Sequence, residues 1–371
     1  MADRQILAIV GATGAQGGGL ARAALEDSER RFEVRALTRN ADSDKARALA
    51  AQGAEVVVAD LDDLASLEAA FAGAHGAYCI TNFWEHFSPE KEFDQARNLA
   101  AAARKAGLRH VIWSTLEDTR RWVPLHDDRM PTLMEHYKVP HFDAKGEANA
   151  LFEAAGVPTT FLQTSFYWDN LIYFGSGPVR GEDGTLLFTL PMADRKMPGI
   201  AVEDIGRCAL GIFKAGEAYI GRTVGIAGEH LTGEEMAARL GEALGETVRY
   251  NAVSPEVYRA FDFPGADDLG NMFQFKRDFE NDFCGARNLD ESLEDKDGWN
   301  EGQIYANGDH LILWLNGTKV GECRDDTLKK GAIGIQIHGG KGFTDMAIHI
   351  KKMEVRILKA SDKPTPPAAK K

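Results

Sequence analysis

The sequence predicts a doubly wound α/β fold, a parallel sheet with helices on both faces, continued by a smaller α/β region and a short antiparallel β appendage. Three observations carry this. Over residues 1–165 short apolar runs alternate with Ala-, Leu-, Glu- and Arg-rich stretches at helical spacing, the rhythm of βαβ units. The first run ends in a glycine-rich turn that opens a helical stretch. Beyond residue 299, Asn-Gly pairs separate strand-like runs.

The strands are expected at 5–10, 33–37, 55–59, 76–80, 110–114 and 159–164, each apolar and followed by a turn. Helices are expected between them at 15–25, 44–51, 64–71, 90–106 and 142–155. From 166 to 289 the elements shorten: strand 185–189, helix 203–213, strand 223–226, helix 232–244, strand 247–252, then helices near 255–261 and 266–279. Thr232 and Glu235 form a T-x-x-E capping box, whose side chains satisfy free N–H groups at a helix start. Residues 299–323 read as a three-strand meander turning at Asn307-Gly308 and Asn316-Gly317, because Asn-Gly supplies positive φ angles. Strands at 332–337 and 346–357 extend it. The composition shift near 288–297 divides the chain into a main domain (1–289, with a core at about 1–165 and a smaller region at about 166–289), a β-rich segment (290–358) and a tail (359–371). The prolines and terminal lysines of that tail predict disorder.

With 371 residues, 44% hydrophobic and 27% charged, the composition is that of an ordinary soluble α/β protein. No apolar run approaches the roughly 18 residues of a bilayer-spanning helix, so no membrane association is expected. The N-terminus lacks the features of a signal peptide, and a cytoplasmic location is expected. The four cysteines form no CxxC and lie near no His/Cys set, which indicates neither a disulfide framework nor a metal site. Net charge is −13, and residues 290–371 carry 13 basic and 13 acidic groups, so the deficit belongs wholly to the main domain. Such a domain repels nucleic-acid backbones, which argues against direct nucleic-acid binding.

The strongest local signal is Gly11-Ala12-Thr13-Gly14-Ala15-Gln16-Gly17 between a strand and a helix. Gly11 makes the tight turn, Gly14 lets the backbone approach a pyrophosphate, and Gly17 permits close helix–strand packing, as in a Rossmann dinucleotide site. The second strand ends Thr38-Arg39-Asn40, with no acid to hold a ribose 2′-hydroxyl. Arg39 suits a 2′-phosphate, so NADP(H) is favoured over NAD(H); the alternative is a solvated surface arginine. Asp60 and Leu61, after the third strand, would lie beside the adenine, with an ordinary loop carboxylate as the other reading.

On these residues the chain resembles the NmrA-like family of atypical short-chain dehydrogenases, and most closely its HSCARG-like NADPH-sensor branch. GATGAQGG at 11–18, RALTRN at 35–40, GAEVVVADLDD at 53–63, TNFWE at 81–85, WSTLED at 113–118 and PHFDAKGE at 140–147 carry the resemblance. LPMADRKMPGIAVEDIG at 190–206 and FPGADDLGNMFQF at 263–275 extend it over about residues 4–289. The resemblance implies a Rossmann domain with a small α/β domain and the cofactor in the cleft between them. It maps pyrophosphate binding onto Gly11, Thr13, Gly14, Gln16 and Gly17, and the 2′-phosphate onto Arg39. Thr81, Asn82 and Phe83 would border the ribose and nicotinamide, Lys145 would reach the nicotinamide ribose, and Phe166, Tyr167 and Asn170 would close over the nicotinamide. Phe166 and Tyr167 are equally plausible as core packing.

A short-chain dehydrogenase uses a Tyr four residues before its Lys, and here position 141 is His. His141 and Lys145 share a helix face, and Ser114 or Thr115 ends strand five where the family's serine would sit. Tyr137 precedes Pro140, the expected helix start, and falls off that face. His141 is therefore either a proton donor or a structural or cofactor-contact residue. The leading expectation is an NADP(H)-binding redox sensor with little turnover, acting through a protein partner or homo-oligomer. The alternative is an NADPH-dependent oxidoreductase acting on a small-molecule acceptor such as a quinone or activated carbonyl. Residues 299–357 resemble the end of the 3-keto-disaccharide hydrolase family, a concanavalin-like jelly roll, with His338 in IQIHGG. Some 70 residues cannot build both sheets of a jelly roll, so a structural or vestigial role is expected, with carbohydrate binding as the alternative.

Overall fold

The computed structural model describes residues 4–173, 175–279, 301–307, 310–316 and 318–324 and positions 359, 363 and 364. It divides into two units, Met1–Arg277 and Asp278–Lys371. In the first unit, β1 (Gln5–Ile9), β2 (Phe32–Thr38), β3 (Glu55–Val58), β4 (Gly76–Cys79), β5 (His110–Thr115) and β6 (Thr159–Gln163) fall where the apolar runs predict them. Helices α1 (Ala15–Glu26), α2 (Asp44–Ala51), α3 (Leu64–Phe71) and α4 (Pro89–Ala106) connect them. Local signals fix these boundaries: Ser43, Asp63 and Ser88 cap the starts of α2, α3 and α4, and Gly107 ends α4 in the left-handed conformation.

The strands pair all-parallel in the order β3-β2-β1-β4-β5-β6-β11, where β11 is Thr223–Gly225. The chain changes direction across the sheet between β1 and β4, and the crevice beyond their carboxyl ends is where such sheets bind ligands. One face carries a core that includes Leu67, Phe71, Leu99, Trp113 and Phe152; the other buries Leu20, Leu49, Ile112, Leu162 and Phe213.

Two expectations need correction. Residues 223–226 were read as part of the smaller region, but β11 extends the main sheet, pairing Thr223 with Phe161. Helix α8 (Val202–Ala215) joins the same layer by packing on α1, and a Cβ on Gly206 would stand 2.1 Å from the Gly19 carbonyl carbon. The Rossmann layer thus runs past residue 165. The single helix expected at 142–155 is two, α5 (Pro140–Glu147) and α6 (Asn149–Ala155). At the junction the Thr115 hydroxyl reaches both the Lys145 carbonyl at 3.0 Å and Asn149 Oδ1 at 2.7 Å.

The smaller region contains β7 (Phe166–Tyr167), α7 (Asn170–Tyr173), β8 (Val179–Arg180), β9 (Leu186–Leu190), β10 (Met197–Ile200), β12 (Glu229–Leu231), α9 (Gly233–Leu244), β13 (Val248–Ala252), α10 (Pro255–Arg259) and α11 (Ala266–Gln274). Its strands form two three-stranded sheets, β12-β10-β7 and β13-β9-β8. The capping box forms: Thr232 Oγ1 accepts from the Glu235 N–H, and Glu235 accepts from the Thr232 N–H. The helix expected to reach residue 279 changes to π-type hydrogen bonding from Phe275.

In the second unit, β14 (Gly302–Asn307), β15 (His310–Leu315) and β16 (Thr318–Arg324) form the antiparallel meander. Asn316 takes φ +48°, as its Asn-Gly turn requires, and Tyr305, Ile312 and Trp314 form a buried cluster. The domain boundary at 288–297, the strands at 332–337 and 346–357, and His338 lie outside the described residues, as does most of the tail.

Candidate functional site

The glycine turn has the geometry its sequence predicts. Gly11 sits at φ +62°, a conformation costly for any residue with a Cβ, and its carbonyl accepts from the Gly14 N–H at 2.8 Å. A Cβ on Gly17 would stand 2.5 Å from the Val10 and Gly11 carbonyl oxygens. Thr13 lies half-buried on the turn. Helix α1 begins at Ala15 after the N-cap Gly14, which has no side chain to cap it, and has no acid in its first turn, so among the described residues the N–H groups of Ala15, Gln16 and Gly17 keep no side-chain partner. Free amide donors, the positive end of a 12-residue helix and glycines that admit close approach fit a pyrophosphate.

The Gln16 side chain turns inward. It is 4% exposed; its Nε2 donates to the Tyr167 hydroxyl, and its Oε1 accepts from Tyr78 and, at 2.8 Å, from Ser114 Oγ. Gln16 thereby ties the start of α1 to β4, β5 and β7, and two sequence candidates, Ser114 and Tyr167, enter this network. Burial pushes the Tyr78 and Tyr167 hydroxyls up, so both stay neutral, Tyr78 donating to Gln16 and Tyr167 accepting from it. Phe166 packs near Trp168 and Phe273, and Asn170 opens α7.

Arg39, exposed after β2, donates from Nη1 to Glu85 Oε1. Asp60 is exposed and accepts from the Asp62 N–H at 2.9 Å, while the Leu61 carbonyl accepts from Asn98 at 2.8 Å. Asn82 is exposed and begins the 3-10 turn Phe83–Glu85, which Phe83 anchors at 2% exposure.

Lys145 is 9% exposed and donates to the Thr81 carbonyl and hydroxyl at 3.0 and 2.6 Å, pairing also with Glu92. Burial drives the Glu92 carboxyl up, but the Lys145 charge, His86 and the Thr81 hydroxyl outweigh it and hold the group at about 2. Thr115 is fully buried, giving its hydroxyl to the Lys145 carbonyl and to Asn149 Oδ1. The structure therefore brings Lys145 and Thr81 together, and places Ser114 and Thr115 in separate networks, one reaching Gln16 and the other the α5–α6 junction. Glu92 escaped the sequence reading because it sits among the exposed acids of α4; its signal was its place on the buried stripe with Ala96, Leu99 and Ala103.

His141 occupies the first turn of α5. Asp268, from α11, accepts from the His141 backbone N–H at 3.0 Å and meets its Nδ1 with the other oxygen, both residues being buried. The Trp84 ring lies 4.8 Å from the imidazole. Among the described residues Nε2 makes no hydrogen bond. A carboxylate on Nδ1 orients the imidazole and leaves Nε2 uncommitted, an arrangement that can serve an oriented general acid or base. Asp268 was missed because its partner is 127 residues away; a buried-face acid beside Asn271 and Met272 was the available signal. Tyr137 sits in the preceding loop under the Arg120 guanidinium. Among the described residues no group of three His, Cys, Asp or Glu could hold a metal, and no helix is long and apolar enough to cross a membrane.

A sheet of this order with a glycine turn after β1 defines a Rossmann-type protein with a second, smaller region. The NmrA-like family model matches residues 3–300, and the chain belongs to the NmrA-like family. It is 32% identical over 290 residues to the NmrA-like family domain-containing oxidoreductase FrzB of Cladobotryum sp, covering 73% of this chain and 83% of that one. Among solved structures it is similar to NmrA, a negative transcriptional regulator, with TM-score 0.61 at 25% identity over 74% of this chain and 83% of that one. NmrA structures with NAD and with NADP, at 24% identity, share the fold. The NADPH-dependent quinone oxidoreductase QOR2 of Escherichia coli, solved with NADPH, matches with TM-score 0.57 at 25% identity, over 73% of this chain and 89% of that one. A 3-keto-alpha-glucoside-1,2-lyase-like domain model matches residues 253–356.

Proposed function

We propose that the chain is an NADP(H)-dependent reductase in which His141, seated on Asp268, handles the proton. The observation that carries this reading is the buried His141–Asp268 pair with an uncommitted Nε2, four residues before Lys145, where a short-chain dehydrogenase places its tyrosine. The names of the matched relatives agree with an oxidoreductase. The uncapped start of α1 supports a dinucleotide, and Arg39 at the end of β2 supports the 2′-phosphorylated form. Bound there, a nicotinamide would supply a hydride to the acceptor. His141 Nε2 gives the proton that converts a carbonyl oxygen to hydroxyl and recovers it from solvent, while Asp268 keeps the ring oriented.

A second reading, a redox sensor with little turnover that acts through a protein partner, is favoured by Lys145. Its ammonium is held by Glu92 and Thr81, where a short-chain dehydrogenase uses it to activate a hydroxyl. The two readings separate on turnover. The full chain with NADPH is assayed against an aldehyde and a quinone, alongside His141→Gln and Asp268→Asn. The reductase reading expects both variants to lose on the order of 100-fold in aldehyde kcat with little change in NADPH affinity, and to lose less with the quinone. Tight NADPH binding by the unmodified chain with no turnover of either acceptor overturns it in favour of the sensor.

A further inference from the structure

Arg39 and Glu85 approach from two sides of the β1/β4 crevice. Arg39 follows β2, and Glu85 closes the turn that follows β4. Their pair is exposed, at 63% and 47% of the side chains, and pairs of this kind are weak and screened by salt. Two further carboxylates, Asp60 and Asp62, act on Arg39 at longer range, and Asp62 is itself engaged by Lys91 and Gln95. Glu85 alone of the three bonds the guanidinium. Its backbone cannot retreat far: Phe83 is buried against Phe87 and His141, and the Glu85 N–H is bonded to the Asn82 carbonyl.

We propose that Glu85 is the selectivity residue of this site: its carboxylate competes with a ribose 2′-phosphate for Arg39 and so sets the preference between 2′-phosphorylated and 2′-hydroxyl dinucleotides. A dianionic phosphate can displace an exposed carboxylate from a guanidinium, but the displaced group stays tethered nearby and repels the phosphate. A 2′-hydroxyl, by contrast, can donate a hydrogen bond to that carboxylate. Glu85 therefore penalises one dinucleotide and tolerates the other, leaving a modest preference where an unopposed arginine would give a strong one. The inference rests on the reading of Arg39 as the residue that faces the ribose.

The test is a titration of the full chain and of Glu85→Gln with NADPH and with NADH at low and raised ionic strength, followed by nicotinamide fluorescence. The isosteric amide removes the charge from an exposed position and leaves the packing of the turn intact. The expected result is NADPH binding about 5-fold tighter in the variant at low salt, a gain that shrinks as salt rises, with NADH unchanged or weaker. Equal changes for both dinucleotides, or none, overturn the role of Glu85 while the dinucleotide site stands. Failure of the unmodified chain to bind either dinucleotide overturns the site itself and the proposal with it.

Discussion

At the start of α1 the N–H groups of Ala15, Gln16 and Gly17 have no side-chain cap, whereas around α5 nearly every polar group that could join a proton transfer has an internal partner. Lys145 holds Glu92 and Thr81, Thr115 holds Asn149, Ser114 holds Gln16, and His141 holds Asp268. A helix terminus with unpartnered donors binds from outside the chain; a cluster with closed hydrogen bonds mostly holds itself together. The contrast sets free backbone donors at α1 against closed side-chain hydrogen bonds at α5. Under the reductase reading, His141 Nε2 is the α5 atom that stays uncommitted among the described residues.

The largest expected effect tests whether the α5 cluster is structural. Lys145→Met leaves Glu92, which is fully buried, without its cation. Breaking a buried pair from one side costs about 3–5 kcal/mol, and denaturant unfolding at neutral pH should show a loss of that size. Adding Glu92→Gln removes the stranded charge and should restore most of it. Unchanged stability in Lys145→Met would mean that the pair is spent on function, and the comparison with α1 would collapse.

How much of this was legible depended on the range of the interaction concerned. The strands and helices of the main sheet follow from local apolar runs and caps such as Ser43, Asp63 and Ser88, so the sequence placed most of them closely. The glycine turn was equally local. The return of β11 to β6 was not, because a three-residue strand carries no information about its partner. The Thr115 bond at the α5–α6 junction and the His141–Asp268 and Lys145–Glu92 pairs all join residues far apart in sequence. The motif points Gln16 to a pyrophosphate, yet its side chain is engaged by Tyr78, Ser114 and Tyr167, which leaves only its backbone N–H to face such an anion.

Acid sharpens the comparison by attacking different regions in different windows. His110, buried on β5 with its Nε2 on Thr160 Oγ1, is lowered to about 4 by burial and by His75. The unfolded chain takes up this proton below about pH 6.5 and the fold resists it, so stability falls from there down to about pH 4. The loss is about 3 kcal/mol, and His75, also lowered by burial, adds in the same direction. Glu92, held at about 2, contributes stability that is present above about pH 4.5 and disappears only as pH falls toward 2. Denaturant midpoints between pH 7.5 and 4.5 should therefore drop in the native chain and much less in His110→Asn. An equal drop in both would assign the acid sensitivity elsewhere.

The smallest effect concerns the α1 side of the comparison and asks how selective its open cradle is. Arg39 follows β2, and its hydrogen-bond partner among the described residues is the exposed Glu85. Arg39→Asp should therefore leave the fold intact, removing a charge-assisted contact to a 2′-phosphate and supplying an acceptor for a 2′-hydroxyl. The loss in NADPH affinity is expected near 2 kcal/mol, or about 30-fold, with a gain of a few-fold for NADH. Parallel titrations with the two dinucleotides measure both. If both weaken together, Arg39 contributes a general positive field to an unselective pyrophosphate site. If NADPH alone weakens, discrimination at this crevice runs through Arg39, the group for which Glu85 competes, while the backbone donors of α1 carry the binding common to both.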